Sequence, residues 1–229
     1  MKIRTSNLIR WAGLSGMAAG LIFAVVGLIH PPHVLSSVTT GRWTVVHILT
    51  IAMSFFGLLG IAGIYARQAG KAGWMGLAGF VLLSLWFLIV TGFTFFEAFI
   101  LPLLASDSPR FVESFLGIFT GSTGQTSVGA LATLWSLLGV VYILGALLFG
   151  IATFRAGVPS RWAGGLLALG AVASPAFALL PIALAPLAAV PVGLGLAWLG
   201  YATWSERRAS ASQTAPATAA AQLRPAAAE

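Results

Sequence analysis

Residues 162–204, WAGGLLALGAVASPAFALLPIALAPLAAVPVGLGLAWLGYATW, run for 43 positions without a charged side chain. As one helix rising about 1.5 Å per residue they would reach roughly 64 Å, twice the thickness of a hydrocarbon core of about 30 Å. The stretch therefore has to turn in its middle. Pro181 and Pro186 bracket the expected turn, because proline removes a helical N–H donor and drives the residue before it out of helical geometry. Two antiparallel membrane helices, 162–180 and 183–204, are the expectation.

The composition of the whole chain agrees with that reading. It is 59% hydrophobic and only 7% charged, whereas a water-facing surface needs about a quarter of the residues charged. A length of 229 residues admits several crossings and no large soluble domain. There is no cysteine, which excludes disulfides, thiolate metal sites and cysteine nucleophiles. The net charge of +7 does not indicate nucleic acid. Its basic residues lie between apolar runs rather than on one soluble face, a distribution set by membrane insertion.

Working outward, four more apolar runs each have the length of a crossing: 11–29, 44–66, 73–101 and 128–154. The first follows Lys2, Arg4 and Arg10 as a signal peptide would. It is too long for such a peptide's apolar core and lacks a small-residue cleavage site before His30-Pro31-Pro32-His33, so it reads as a retained helix. The expected fold is all-α, a polytopic bundle of six transmembrane helices over residues 1–205, with 206–229 a disordered cytoplasmic tail rich in Ala, Ser, Thr, Pro and Gln. Lys2, Arg4, Arg10, Arg67, Lys71, Arg155, Arg161, Arg207, Arg208 and Arg224 fall on one side of this arrangement, and only Arg42 and Arg110 on the other. Ten against two places both termini in the cytoplasm and the chain in the plasma (inner) membrane. Arg10-Trp11-Ala12-Gly13, Lys71-Ala72-Gly73-Trp74 and Arg161-Trp162-Ala163-Gly164 open alternate helices alike, which suggests three helical hairpins.

On this topology all three histidines lie toward the outer side. His30 ends the first helix, His47 sits about one turn into the second, and Glu97 lies near the outer end of the third. Ionisable side chains in membrane helices are costly and usually face the bundle interior, where they mark sites or relays. A pocket lined by His30, His47 and Glu97 is expected, with Arg42, Trp43 and His33 at its mouth. Two imidazoles and a carboxylate form a workable set for a divalent metal with an open position for water. Without metal they can relay protons or act as acid and base. His30 and His47 are alternatively a haem ligand pair. Against all three stands the bland reading, in which histidines at a helix end face water and headgroups and carry no function. Trp43 and Trp74 read first as interface anchors.

The connection 102–127 is the longest. Ser108-Pro109 has the pattern of an N-cap followed by proline in the first helical turn, and the apolar residues from Phe111 to Phe119 predict a short helix capping the pocket. Gly121-Ser122-Thr123-Gly124-Gln125-Thr126 lacks the lysine and the preceding strand of a phosphate loop, so nucleotide binding there is rejected. The many helix glycines, Gly13, Gly16, Gly20, Gly57, Gly60, Gly63, Gly76 and Gly79 among them, are read as close-packing positions.

Gly27-x-x-His30-Pro31, Trp43-x-x-x-His47 and Glu97-Ala98-x-x-Leu101-Pro102 together resemble a pattern found in small multi-pass membrane proteins of bacteria with no established activity. The resemblance covers the first three helices and draws attention to His30, His47 and Glu97. It implies a membrane bundle and transfers no reaction. Four functions follow from the residues: an outward-facing pocket for a lipid, small amphiphile or metal, with or without catalysis; a haem-binding redox protein; a structural or accessory subunit; and a transporter, disfavoured because the midplane carries no titratable group.

Overall fold

The computed structural model describes residues 5–122, 124–177 and 184–222, and among these there are only helices, turns and loops. In chain order they are α1 (Thr5–Ile29), α2 (Leu35–Val38), α3 (Gly41–Phe95), a π-helical turn (Phe96–Ile100), α4 (Leu101–Asp107), α5 (Pro109–Thr120), α6 (Leu131–Ala156), α7 (Arg161–Phe177), a 3-10 turn (Ala185–Ala188) and α8 (Ala189–Gln222). Three stretches are long and apolar enough to cross a membrane: Asn7–Ile29, Gly41–Asp107 and Leu131–Ala156. The chain is an all-helical membrane protein.

The second of these stretches is not one rod. Gly73 interrupts α3 with φ 58° and ψ −163°, a backbone conformation that is essentially open only to glycine. The chain reverses there, because Tyr65 stacks on Phe80 with ring centroids 4.9 Å apart and Gly57 packs against the Phe87 ring. The limbs 41–72 and 74–95 form an antiparallel hairpin about this residue. The expected spans 44–66 and 73–101 are joined by helix through 67–72. Gln68 and Ala72 are buried there, and Gln68 Nε2 donates to Thr153 Oγ1 of α6 at 2.8 Å.

Close glycine contacts tie the described rods into a ring. Gly16 of α1 meets Gly60 on one side and Gly200 of α8 on the other. Gly79 meets the backbone of Phe149 in α6, Gly150 meets Gly164 of α7, and Gly170 meets Val192 of α8. The residue pairs run in opposite directions along each partner, so every neighbour is antiparallel. Small residues permit this approach, in which helix backbones touch without intervening side chains. The ring interior is filled by Met53, Ile61, Phe87, Phe149, Leu167 and Leu199, while Leu88, Phe95, Leu169 and Trp198 are among the apolar side chains exposed on its outside.

Residues 162–204 do fold back. Gly170 lies against Val192 and Gly195 against Leu167, so α7 and α8 are antiparallel. Pro181 lies outside the described residues, and Pro186 falls within the 3-10 turn that leads into α8. α8 continues to Gln222, over positions 206–222 that composition assigns to a disordered tail. Alanine is the strongest helix former, which accounts for a helix continuing through this Ala-rich segment. Residues 223–229 lie outside the described residues.

Candidate functional site

Three local devices bring the ionisable residues of α1 and α3 to one end of the ring. The first is the end of α1. His30-Pro31-Pro32 cannot continue a helix, since each proline disfavours helical geometry in the residue before it, and α1 stops at Ile29. Arg42 Nε donates to the freed Ile29 carbonyl at 2.9 Å, placing a cation at a helix C-terminus, where the helix dipole favours it. The second device is the start of α3, where Thr40 Oγ1 accepts from Trp43 N at 3.2 Å and donates to Ser37 O at 2.7 Å. This N-cap fixes the turn that carries Trp43, and His47 follows one turn later.

The third device is the π-helical turn that contains Glu97. The Leu101 N–H bonds back five residues to Phe96 O. The next bond in that pattern would run from residue 102 to Glu97 O, but Pro102 has no N–H to give. The Glu97 carbonyl is instead taken by the Trp43 indole, Nε1 donating at 2.8 Å. Trp43 is 0% exposed. It is a buried strut between the two limbs of α3, and the interface-anchor reading is corrected for it. Trp74, 85% exposed at the opposite end, has an anchor's exposure.

With the backbone so fixed, His47 Nε2 lies 3.4 Å from Glu97 Oε1, and His33 Nε2 lies 4.0 Å from the same oxygen. His47 is 2% and Glu97 5% exposed. His47 Nδ1 is 2.7 Å from Trp43 O. A carbonyl only accepts, so Nδ1 carries the hydrogen, and Nε2 is left either as a lone pair or as the second N–H of an imidazolium. His47 Nε2 and Glu97 Oε1 are both buried and have no polar partner closer than each other, at 3.4 Å. Buried polar atoms are normally well bonded, so this long pairing leaves capacity for a bound group.

His30 completes the cluster from the side. Its ring touches that of His47 edge to face at 5.1 Å between centroids and stacks on His33 at 4.7 Å, and His33 stacks in turn on Phe119 of α5 at 4.6 Å. His30 Nδ1 is occupied by Pro31 O at 2.7 Å. Burial lowers His30 from the ordinary 6.5 to about 4 and His33 to about 3, helped by the neighbouring imidazoles, so both are neutral at physiological pH.

The expected residues are thus neighbours, but not as a metal tripod. Among the described residues no group of three His, Cys, Asp or Glu is placed to hold a metal ion. The His30 and His47 rings touch each other, leaving no slot for a haem macrocycle between them. Arg42 is exposed and occupied with Ile29 O rather than with the cluster. The capping helix predicted after Ser108 is α5, although Ser108 caps it without a side-chain bond. Asp107, Arg110 and Glu113 are exposed.

Below the cluster opens a cavity of about 280 Å³ lined by Phe23, Val26, Gly27, His30, His33, His47, Thr50, Met53, Trp86, Val90, Thr94, Glu97, Phe119, Trp135 and Ala189. Phe23, Trp86, Phe119 and Trp135 are additions that inspection of single helices does not supply. Trp135 and Phe119 reach the cavity from segments far along the chain, and they are placed together by their mutual contact, 4.6 Å between centroids, and by the Phe93 ring that both touch. One signal was present in the sequence: Pro102 five residues after Glu97, the spacing that frees the Glu97 carbonyl.

No protein-family profile, no curated protein and no solved structure matches the chain. Fold and site define its class on their own terms, as an all-helical membrane protein with a buried His–Glu cluster at the head of an apolar cavity.

Proposed function

We propose that this chain is a six-span protein of the plasma membrane, with both termini in the cytoplasm, that binds a single-chain amphiphile from the outer leaflet. The distribution of basic residues, ten at one end and two at the other, supports the orientation. The hairpin about Gly73 and the antiparallel packing of α7 on α8 support the count, since each limb then has a partner of opposite direction.

The observation that carries the binding function is the gradient along the cavity. On α1 the lining runs from Phe23 to His30, on the first limb of α3 from Met53 through Thr50 to His47, and on the second from Trp86 and Val90 through Thr94 to Glu97. Each helix presents apolar side chains deep and polar ones at the mouth, over about 9 to 17 Å of helix rise. That is the profile of a molecule with a polar head and an apolar tail, and the volume suits a small ligand rather than a lone water. The lipid bilayer supplies such molecules directly.

The test uses protein in lipid nanodiscs and a single-chain amphiphile brominated near its tail end. Trp86 and Trp135 line the cavity, so saturable quenching of tryptophan fluorescence is expected, reduced in Trp86→Phe. Val90→Trp, which fills the apolar part, should abolish the saturable component while leaving the unfolding midpoint near that of the parent. Quenching that does not saturate, or that Val90→Trp leaves unchanged, would sink the proposal.

A further inference from the structure

The cavity has one formally charged side chain in its lining among the described residues, the Glu97 carboxylate, and neither lysine nor arginine. Arg42, the nearest cation in sequence, has its Nε on Ile29 O. From the elements packed round Glu97, the groups that face it are His47 at 3.4 Å and His33 at 4.0 Å, with His30 behind them. α5 contributes the Phe119 ring, α6 Trp135 and α8 Ala189.

An anionic head would meet a carboxyl group in the lining, while the fixed positive charge of Arg42 lies outside it, held at the end of α1. An uncharged head would leave the carboxylate with only His47 to balance it. A cation finds both attractions it needs. Glu97 Oε1 is buried with His47 Nε2, at 3.4 Å, as its nearest polar partner, and His33, Phe119 and Trp135 border the same space, with His33 on Phe119 at 4.6 Å and Phe119 on Trp135 at 4.6 Å. Aromatic rings carry negative faces that attract ammonium groups, most strongly where water is excluded.

Resting on the amphiphile reading above, we infer that the ligand's head is an ammonium ion: the cavity takes a single-chain amine or quaternary ammonium amphiphile, its head between Glu97 and the Phe119–Trp135 rings and its chain toward Phe23 and Met53.

The experiment displaces the brominated probe from nanodisc-embedded protein with three ligands of equal chain length: decyltrimethylammonium, decyl sulfate and uncharged decyl glucoside. The cation is expected to compete about 10- to 30-fold more strongly than the other two, the factor that a desolvated cation–aromatic contact supports. Glu97→Gln, which keeps the backbone carbonyl bonded to Trp43, should remove that preference and leave decyl glucoside unchanged. Phe119→Leu, which keeps an apolar wall and deletes the ring, should weaken the cation alone. Equal or stronger competition by the sulfate or the glucoside overturns the cation assignment while the amphiphile reading stands. No displacement by any of the three removes both.

Discussion

A single indole holds the candidate site in register. Trp43 reaches 54 residues along the chain to a carbonyl that Pro102 cannot satisfy, and both groups are buried. Leaving a buried acceptor without its donor costs about 1–3 kcal/mol. Trp43→Phe, which deletes the N–H and keeps most of the ring, is expected to lower stability by about that amount and to loosen the pairing of His47 with Glu97. Trp74→Phe, at an 85% exposed position, should change stability by less than about 0.5 kcal/mol. Thermal unfolding of the two variants in the same detergent checks the pair, and equal midpoints would refute the strut role. Depth alone singles out His30, His47 and Glu97, because charge in an apolar run is visible in any sequence. The partner of Trp43 was not visible, since an interfacial tryptophan and a buried one read alike until the opposite limb of the hairpin is placed. The same ambiguity makes a metal set of His30, His47 and Glu97 plausible on paper. Sequence gives their common depth but not that the His30 ring packs edge to face on His47 while His33 and His47 are the imidazoles nearest Glu97.

Helices in this ring meet through glycine, and the contacts differ sharply from one glycine to another. A Cβ on Gly20 would strike Gly193 O and the Ala197 backbone of α8, whereas a Cβ on Gly92 would meet nothing within 4 Å. Gly20→Ala is therefore expected to push α1 from α8 at a cost of about 1–3 kcal/mol. Gly92→Ala should be neutral or stabilising by up to about 1 kcal/mol, because alanine loses less backbone entropy in a helix. Unfolding midpoints that failed to separate the two would argue against the α1–α8 seam. At this scale the sequence is informative about helix existence and weak on helix ends. Apolar runs marked 44–66, 73–101 and 128–154, and the helices found there extend past several of those limits, because Gln68, Lys71 and Ala72 continue a helix as readily as leucine does. Apolar character reports the solvent around a helix, and helix ends are set by caps and breakers such as Thr40, Gly73 and Gly157. The short π-helical turn at Glu97 had only Pro102 to announce it.

The whole molecule brings its His–Glu cluster and most of its basic residues to opposite ends of one ring, and the proposed direction of ligand entry depends on which end faces out. The absence of cysteine makes this measurable with single introduced thiols and a membrane-impermeant reagent on intact cells. Ser106→Cys lies at the exposed C-terminal end of α4, the helix that follows Glu97, and is expected to react from outside. Gly70→Cys lies near the reversal at Gly73, where added atoms meet nothing within 4 Å. It should react only after the membrane is opened, and Ser212→Cys in the distal part of α8 should behave in the same way. Labelling of Gly70→Cys from outside would mean that the two limbs of α3 enter from the other face, which inverts the bundle and points the cavity inward. Labelling of Ser212→Cys alone from outside would leave the first hairpin as described and remove one crossing after it. A protected Ser106→Cys with a reactive Gly70→Cys would turn the amphiphile site toward the cytoplasmic leaflet, where the same chemistry of head and chain would draw on a different pool of lipid.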